Sequence, residues 1–106
     1  MIRVSVMSGA KPNATLSELR TRIDQLDEQL ISMLAERFRV TEQVGQLKAH
    51  LAAEPEDKAR EEQQRTRYHA LAVQYHAPAD AITDVMTRIW EHVKNRHERL
   101  RKSDRC

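Results

Sequence analysis

The sequence is poor in the residues that build disulfides, metal clusters and β-sheets. It contains one Cys, at position 106, together with two Gly, three Pro and 4% aromatic residues. A single Cys cannot close an intramolecular disulfide, and it fits a reducing compartment. The five His residues lack the spacing of metal ligands, and Gly9 and Gly45 cannot form a glycine-rich phosphate loop. We therefore expect no metal site.

Long apolar runs and a strong charge of one sign are also missing. No run approaches the ~18 apolar residues of a membrane-spanning helix, and the mixed run over residues 2–7 is shorter than the ~7–15 residues of a signal-peptide core. The net charge of +2 does not indicate a polyanionic partner. The basic segment Lys94–Arg105 lacks the interleaved aromatic residues of a nucleic-acid-binding face. We expect a cytoplasmic protein that binds neither membranes nor nucleic acids.

The residues that are present favour one all-α domain. The chain has 106 residues, of which 40% are hydrophobic and 32% charged, as is typical of helices that expose one charged face. A usual domain of ~100–150 residues leaves no room for a second core. We expect a flexible segment over residues 1–14, a helical domain over 15–100 and a basic tail over 101–106.

A long first helix is the strongest signal. Thr15 and Glu18 form the capping-box pattern of a helix start, and Pro55 is the next helix breaker. Between them, eleven positions at heptad spacing form what we call the heptad seam: Leu16, Leu19, Ile23, Leu26, Leu30, Met33, Arg37, Val40, Val44, Leu47 and Leu51. A helix over residues 16–53 would be ~57 Å long. A compact domain of this size has a radius of gyration of only ~13 Å, so we expect the seam to pack against a second copy.

Two further helices complete the prediction. The chain restarts at the acidic pair Glu56 and Asp57, which suits a helix N-terminus, and stays polar as far as His76. After Pro78, apolar residues at helical spacing predict a third helix of medium length. We expect its basic end, Lys94–Arg105, to be frayed and solvated.

Arg37 is the only polar member of the heptad seam. A guanidinium there is costly unless it pairs with a carboxylate, such as that of Glu36 or Glu42, or meets an anionic ligand; both explanations stay open. Lys48 lies ~16 Å further along the helix and Arg20 ~25 Å back. An antiparallel pair of these helices would place Arg20 of one chain beside Arg37 and Lys48 of the other, which predicts two symmetric sites.

A triplet of charges opens the second helix. Asp57, Arg60 and Glu61 are spaced i, i+3 and i+4, which places them on one helix face. Helix capping by Asp57 with pairing in solvent explains the triplet without any functional role.

Taken in order, these motifs strongly resemble the all-helical class of chorismate mutases. The resemblance covers residues 16–97, and its spacing agrees with the mutase domain of the enterobacterial bifunctional enzymes. It is carried by Leu19-Arg20-x-x-Ile23-Asp24-x-Leu26-Asp27, Leu34-Ala35-Glu36-Arg37, Val44-Gly45-x-x-Lys48 and Asp57-x-x-Arg60-Glu61. It implies an intertwined homodimer with three helices per chain and two active sites. The implied reaction is the [3,3] rearrangement of chorismate to prephenate in aromatic amino-acid or related secondary metabolism, without a cofactor or a covalent intermediate.

The resemblance also implies roles for the cations. Arg37 matches the same-chain arginine that binds a substrate carboxylate, and Arg20 matches the arginine that the partner subunit contributes. Lys48 matches the lysine that hydrogen-bonds the ether oxygen and a carboxylate, and Arg60 matches an arginine beside the site.

The remaining site positions include two departures. Asp57 and Glu61 resemble the groups around the ring hydroxyl of the substrate. Val93 stands where the enterobacterial domain has a serine near a carboxylate, and His97 stands where it has a glutamine that donates to the ether oxygen. We expect His97 to take over that donation, and an exposed His97 in the basic tail is the alternative.

Three other functions stay open at this point. Isochorismate pyruvate lyases share the fold but lack residues like Asp57 and Glu61. Mutases of 4-amino-4-deoxychorismate are not excluded, because a carboxylate pair also suits an amine. A non-catalytic helical dimer scaffold, inactivated through Val93 and His97, is the alternative from a different class.

Overall fold

A computed structural model describes residues 14–54 and 57–105, and within them the chain is all-helical. The elements are α1 (Leu16–His50), α2 (Lys58–Gln74) and α3 (Ala79–Arg105). They contain 35, 17 and 27 residues, so the expected long, short and medium helices are present and no strand occurs in these ranges. The all-α fold class is confirmed. The predicted flexible segment falls outside the described residues, except for Ala14.

The helix α1 begins at the predicted capping box. The hydroxyl of Thr15 accepts a hydrogen bond from the backbone N–H of Glu18 at 3.1 Å, and a carboxylate oxygen of Glu18 accepts one from the N–H of Thr15 at 2.9 Å. These two bonds satisfy N–H groups that have no partner inside the helix. Donation from Thr15 also lowers the pKa of the Glu18 carboxyl group.

The helix α1 ends at His50, three residues before the expected boundary. The backbone N–H of Ala53 donates to the carbonyl of Lys48 at 2.8 Å, and that of Ala52 donates to Ala49 at 3.1 Å. Ala52 has a φ of 56°, in the left-handed region. This is a Schellman motif, which satisfies the last carbonyls and reverses the chain. The turn needs the residues between His50 and Pro55, and for this reason the helix cannot reach the proline.

The helix α2 is closed at both ends by local hydrogen bonds. A carboxylate oxygen of Asp57 accepts from the backbone N–H of Arg60 at 3.0 Å, which makes Asp57 the N-cap. At the other end the N–H of Ala77 donates to Ala72 at 2.8 Å, and His76 has a φ of 57°. A second Schellman motif thus ends α2 shortly before Pro78.

The helix α3 packs against both other helices, whereas the backbones of α1 and α2 do not approach each other closely within the described residues. The described chain buries few apolar residues, and two of them are alanines: Ala49, Ala72 and Ile89. The molecule is elongated, with extents of 60 × 26 × 16 Å and a radius of gyration of 17.9 Å. Within the described ranges, no helix is apolar enough over a sufficient length to cross a bilayer.

The apolar members of the heptad seam are exposed along the whole of α1. Their exposed fractions range from 41% for Leu19 to 70% for Met33, and Leu47 near the end of the helix is 59% exposed. The helix α3 covers a different face, which includes Phe38, Thr41, Gly45 and Ala49. The chain on its own therefore leaves its longest apolar stripe in water.

The expectation of a frayed, solvated end over Lys94–Arg105 is wrong. The helix α3 continues to Arg105, and its basic residues form ion pairs with the acidic residues of other elements. Arg96 binds both carboxylate oxygens of Glu42, at 2.9 and 2.7 Å, and Arg101 binds both of Glu54, at 3.2 Å each. The charges that suggested a solvated tail instead tie α3 to α1 and to the turn that follows it.

Candidate active site

One cavity of about 330 Å³ gathers most of the residues that the sequence predicted for a site. It lies between the C-terminal half of α1, the first turns of α2 and the part of α3 that follows Ile89. Seven of the predicted site residues line it: Arg37, Lys48, Asp57, Arg60, Glu61, Val93 and His97. Arg20 does not line it. Three independent elements thus converge on one space.

Arg37 is half-buried in the wall of this cavity. Its Nη2 donates to the hydroxyl of Tyr68 on α2 at 3.4 Å, which is a long hydrogen bond. Of the two carboxylates considered as partners, Glu42 is engaged by Arg96 on α3. Arg37 therefore contacts Tyr68 and does not pair with Glu42, and an anionic ligand of Arg37 stays a prediction.

The ion pair of Arg96 and Glu42 connects α3 to α1. Two guanidinium nitrogens of Arg96 donate to the two carboxylate oxygens of Glu42, each at less than 3 Å, so the pair is bidentate. Hydrogen bonding by Arg96 lowers the pKa of Glu42, and the same bond raises the pKa of Arg96. Nothing in the local sequence indicated this pair, because its members lie 54 positions apart.

The carboxylates of Asp57 and Glu61, at the start of α2, have different surroundings. Asp57 caps the helix, as the non-functional explanation predicted, and it also lines the cavity. Glu61 is half-buried, and its Oε2 is fully buried without a hydrogen-bond partner among the described residues. A buried acceptor without a donor is costly, by ~1–3 kcal/mol.

His97 is buried, with 6% of its surface exposed, so the alternative of an exposed tail residue is wrong. Its Nε2 lies 2.8 Å from the carbonyl oxygen of Thr41 on α1. A carbonyl only accepts, so Nε2 must carry the proton. A neutral ring then has an acceptor at Nδ1, and only the imidazolium keeps a second N–H.

The close approach of His97 to α1 depends on Gly45. A Cβ atom at position 45 would lie 2.5 Å from Cδ2 of His97 and 2.8 Å from Cδ1 of Leu100. A side chain of any size would push the two helices apart. Gly45 in the middle of a long helix was therefore the sequence signal for this contact.

The comparison with known families agrees with this geometry. The sequence profile of the chorismate mutase type II family matches residues 19–98, about three quarters of the chain.

The chain belongs to the chorismate mutase type II family.

No curated protein sequence matches the chain closely enough to count as a relative. The matched range contains every predicted site residue, including Arg20.

The charges of the cavity suit the dicarboxylate on which chorismate mutases act. Four cationic side chains and two carboxylates line it, an excess of two positive charges when His97 is neutral. The four cations are Arg37, Lys48, Arg60 and Lys94. Among the described residues, no group of three His, Cys, Asp or Glu could hold a metal ion.

Sequence reasoning missed part of this wall. Trp90 and Lys94 line the cavity together with Val93 and His97, at the helical spacing i, i+3, i+4 and i+7. That spacing places all four on one face of α3. The signal was present in the sequence, but Lys94 had been assigned to a solvated tail.

Arg20 is exposed on the part of α1 that no other element covers. It lies seventeen positions before Arg37, or ~25 Å along the helix, too far for one chain to bring both to a small molecule. Its place in a type II mutase site depends on a second chain.

Proposed function

We propose that this protein is a chorismate mutase that rearranges chorismate to prephenate. The observation that carries the proposal is the cavity in which Arg37, Lys48 and Arg60 surround a space that Glu61 also lines. Cations on several sides suit the two carboxylates of chorismate, and the carboxylate suits its ring hydroxyl. The family match supports the same reaction.

The reaction needs conformational control more than acid–base chemistry. In the rearrangement the C–O bond of the enolpyruvyl ether breaks while a C–C bond forms at the ring, and no proton is transferred. The enzyme must hold the side chain folded over the ring, and charged donors on both carboxylates do this. A missing nucleophile or general base is thus consistent with catalysis.

Lys48 is the proposed catalytic cation. Negative charge builds on the ether oxygen as its bond to the ring breaks, and a donor fixed beforehand at that oxygen stabilises the transition state more than the substrate. His97 is a second proposed donor. Because its Nε2 faces Thr41, the proposal requires the doubly protonated ring.

Glu61 and Asp57 are the proposed partners of the ring hydroxyl. The carboxylate of Glu61, which lines the cavity, would accept a hydrogen bond from it. An amino group in the same place would also donate, and so 4-amino-4-deoxychorismate stays the second candidate substrate. Isochorismate pyruvate lyase is less favoured, because that family lacks these two carboxylates.

We further propose that the active enzyme is a homodimer with two shared sites. Arg37, Val40 and Val44 belong to the exposed heptad seam and also line the cavity. A second α1 packed along the seam would therefore close the open side of the cavity. In an antiparallel arrangement it would bring Arg20 of the partner chain to that side.

The single Cys of the sequence supports a cytoplasmic location.

The decisive experiment is a product assay with two lysine variants. Wild-type protein is mixed with chorismate, and prephenate is identified by chromatography. Lys48→Ala should lower kcat/KM at least ~100-fold, the size expected for a donor at a developing charge. Lys102→Ala, an exposed lysine outside the cavity, should leave it unchanged. No prephenate from folded wild type would overturn the proposal, and isochorismate and the amino analogue would then be tested. No turnover of any of the three substrates by folded wild type would indicate a non-catalytic scaffold.

A further inference from the structure

The wall that α3 presents to the cavity contains one permanently charged residue. Four residues of α3 line the cavity: Trp90, Val93, Lys94 and His97. Val93 offers no hydrogen-bond donor, and the Nε2 of His97 is directed to Thr41. Lys94 is therefore the residue of this wall whose positive charge does not depend on the protonation of His97.

Trp90 restricts the position of this lysine. The Nζ atom of Lys94 lies 5.1 Å from the centroid of the Trp90 ring, within the range of a cation–π contact. Both residues line the cavity, and Lys94 is half-buried. A lysine side chain loses much rotational freedom when it binds a ligand, and a contact that already limits this freedom lowers the cost.

The charge balance also depends on Lys94. The cavity carries two more positive than negative side chains when His97 is neutral and three more when His97 is protonated, and Lys94 supplies one of these charges in either state. A dicarboxylate in a partly buried space needs both of its charges matched, because desolvated charges without a counterion are costly. Lys94 therefore contributes to this match whatever the protonation of His97.

We propose that Lys94 is a substrate-binding residue that contacts a carboxylate of the dicarboxylate substrate and is held toward the cavity by Trp90. This inference rests on the proposed function, and it adds to it a residue that the sequence reasoning did not include. It predicts an effect mainly on substrate binding, since a substrate carboxylate keeps the same charge throughout the reaction.

The test compares Lys94→Met with Arg99→Met, which removes an exposed cation from the same helix. Lys94→Met should raise KM for chorismate about tenfold or more, the size of a lost charge-assisted hydrogen bond, with a smaller change in kcat. Lys94→Arg should restore most of the affinity. Addition of salt should raise KM less steeply in Lys94→Met than in wild type, because one attraction is gone. Arg99→Met should behave as wild type.

Trp90 supplies a readout of binding that does not require turnover. It is the only Trp in the sequence and lies in the cavity wall, so its fluorescence should respond to ligands there. Titration with prephenate should give a weaker Kd for Lys94→Met than for wild type, again by about tenfold. Circular dichroism checks that the variants fold.

The outcomes separate this inference from the proposed function. Turnover by wild type with an unchanged KM and Kd in Lys94→Met would overturn the role of Lys94 and leave the mutase proposal standing. Both the role of Lys94 and the mutase proposal would be overturned if wild-type protein does not convert chorismate and its Kd for prephenate is weaker than millimolar. An equal loss of affinity in Arg99→Met would reduce the effect to general electrostatics and also overturn the assignment.

Discussion

The two halves of α1 carry the same heptad pattern but have different surroundings. Every described residue from 15 to 33 is exposed, whereas the half that follows has a second face covered by α3 and lines the cavity. The pattern alone does not distinguish the halves, because the apolar seam is exposed in both. The second half of α1 lines the cavity within the chain. The first half is the surface to which the proposed dimer assigns a second chain and the contribution of Arg20.

The largest expected effect comes from a charge placed on the first half of the seam. Leu30 is 54% exposed, so Leu30→Asp should leave a single folded chain nearly unchanged. If the seam is a dimer interface, the variant places two buried charges in it and loses two leucines, each worth ~1.5–3 kcal/mol. We expect dissociation and at least a 100-fold loss of activity, on the order of 3 kcal/mol.

Analytical ultracentrifugation at micromolar concentration checks this expectation. Ser32→Asp is the matched control, since Ser32 is exposed two positions further along α1 but lies off the seam. A monomeric wild type, or a Leu30→Asp variant that stays dimeric and active, would contradict the proposed shared sites.

In the second half of α1, the contact with α3 should be sensitive to a single methyl group. Gly45→Ala forces a Cβ to within 2.5 Å of His97 and 2.8 Å of Leu100. Overpacking of this kind costs ~1–3 kcal/mol, and the better helix propensity of Ala returns up to ~1 kcal/mol. We expect a net loss of about 1–2 kcal/mol in the free energy of unfolding, measured with urea.

The double variant Gly45→Ala/His97→Ala tests the cause. Removing the imidazole opens space for the new methyl group, so Gly45→Ala should cost much less in the His97→Ala background. An equal cost in both backgrounds would show that Gly45 is needed for another reason.

The contrast between the halves also shows how far the sequence could predict the structure. The capping box at Thr15, the heptad seam and the breaks at Pro55 and Pro78 are local signals, and they predicted the three helices. The helix ends depend on the Schellman turns, which Gly usually marks and which here use Ala52 and His76. Without the glycine, the end of α1 was placed three residues too late.

The candidate site was predictable where its residues lie on motifs and unpredictable where it depends on tertiary packing. Arg37 was recognised because a charge on an apolar seam requires an explanation. The bond between Glu42 and Arg96 was not, since charged pairs distant in the chain leave no local pattern. His97 was expected near the ether oxygen, but its contact with Thr41 depends on how closely α3 approaches Gly45. Only the packing of α1 against α3 determines the contact between His97 and Thr41.

The smallest expected effect concerns the turn that ends the second half of α1. Ala52 adopts a φ of 56°, where a Cβ is unfavourable by ~1–2 kcal/mol, and glycine pays no such penalty. Glycine also loses more freedom on folding, by ~0.5–1 kcal/mol, so Ala52→Gly should stabilise the protein by only about 0.5 kcal/mol. Ala53→Gly, one position later and outside the left-handed region, should instead be slightly destabilising. The melting temperatures of the two variants test this prediction. A rise for Ala52→Gly and a fall for Ala53→Gly would locate the strain at position 52. Equal changes in both variants would place the strain elsewhere in the turn.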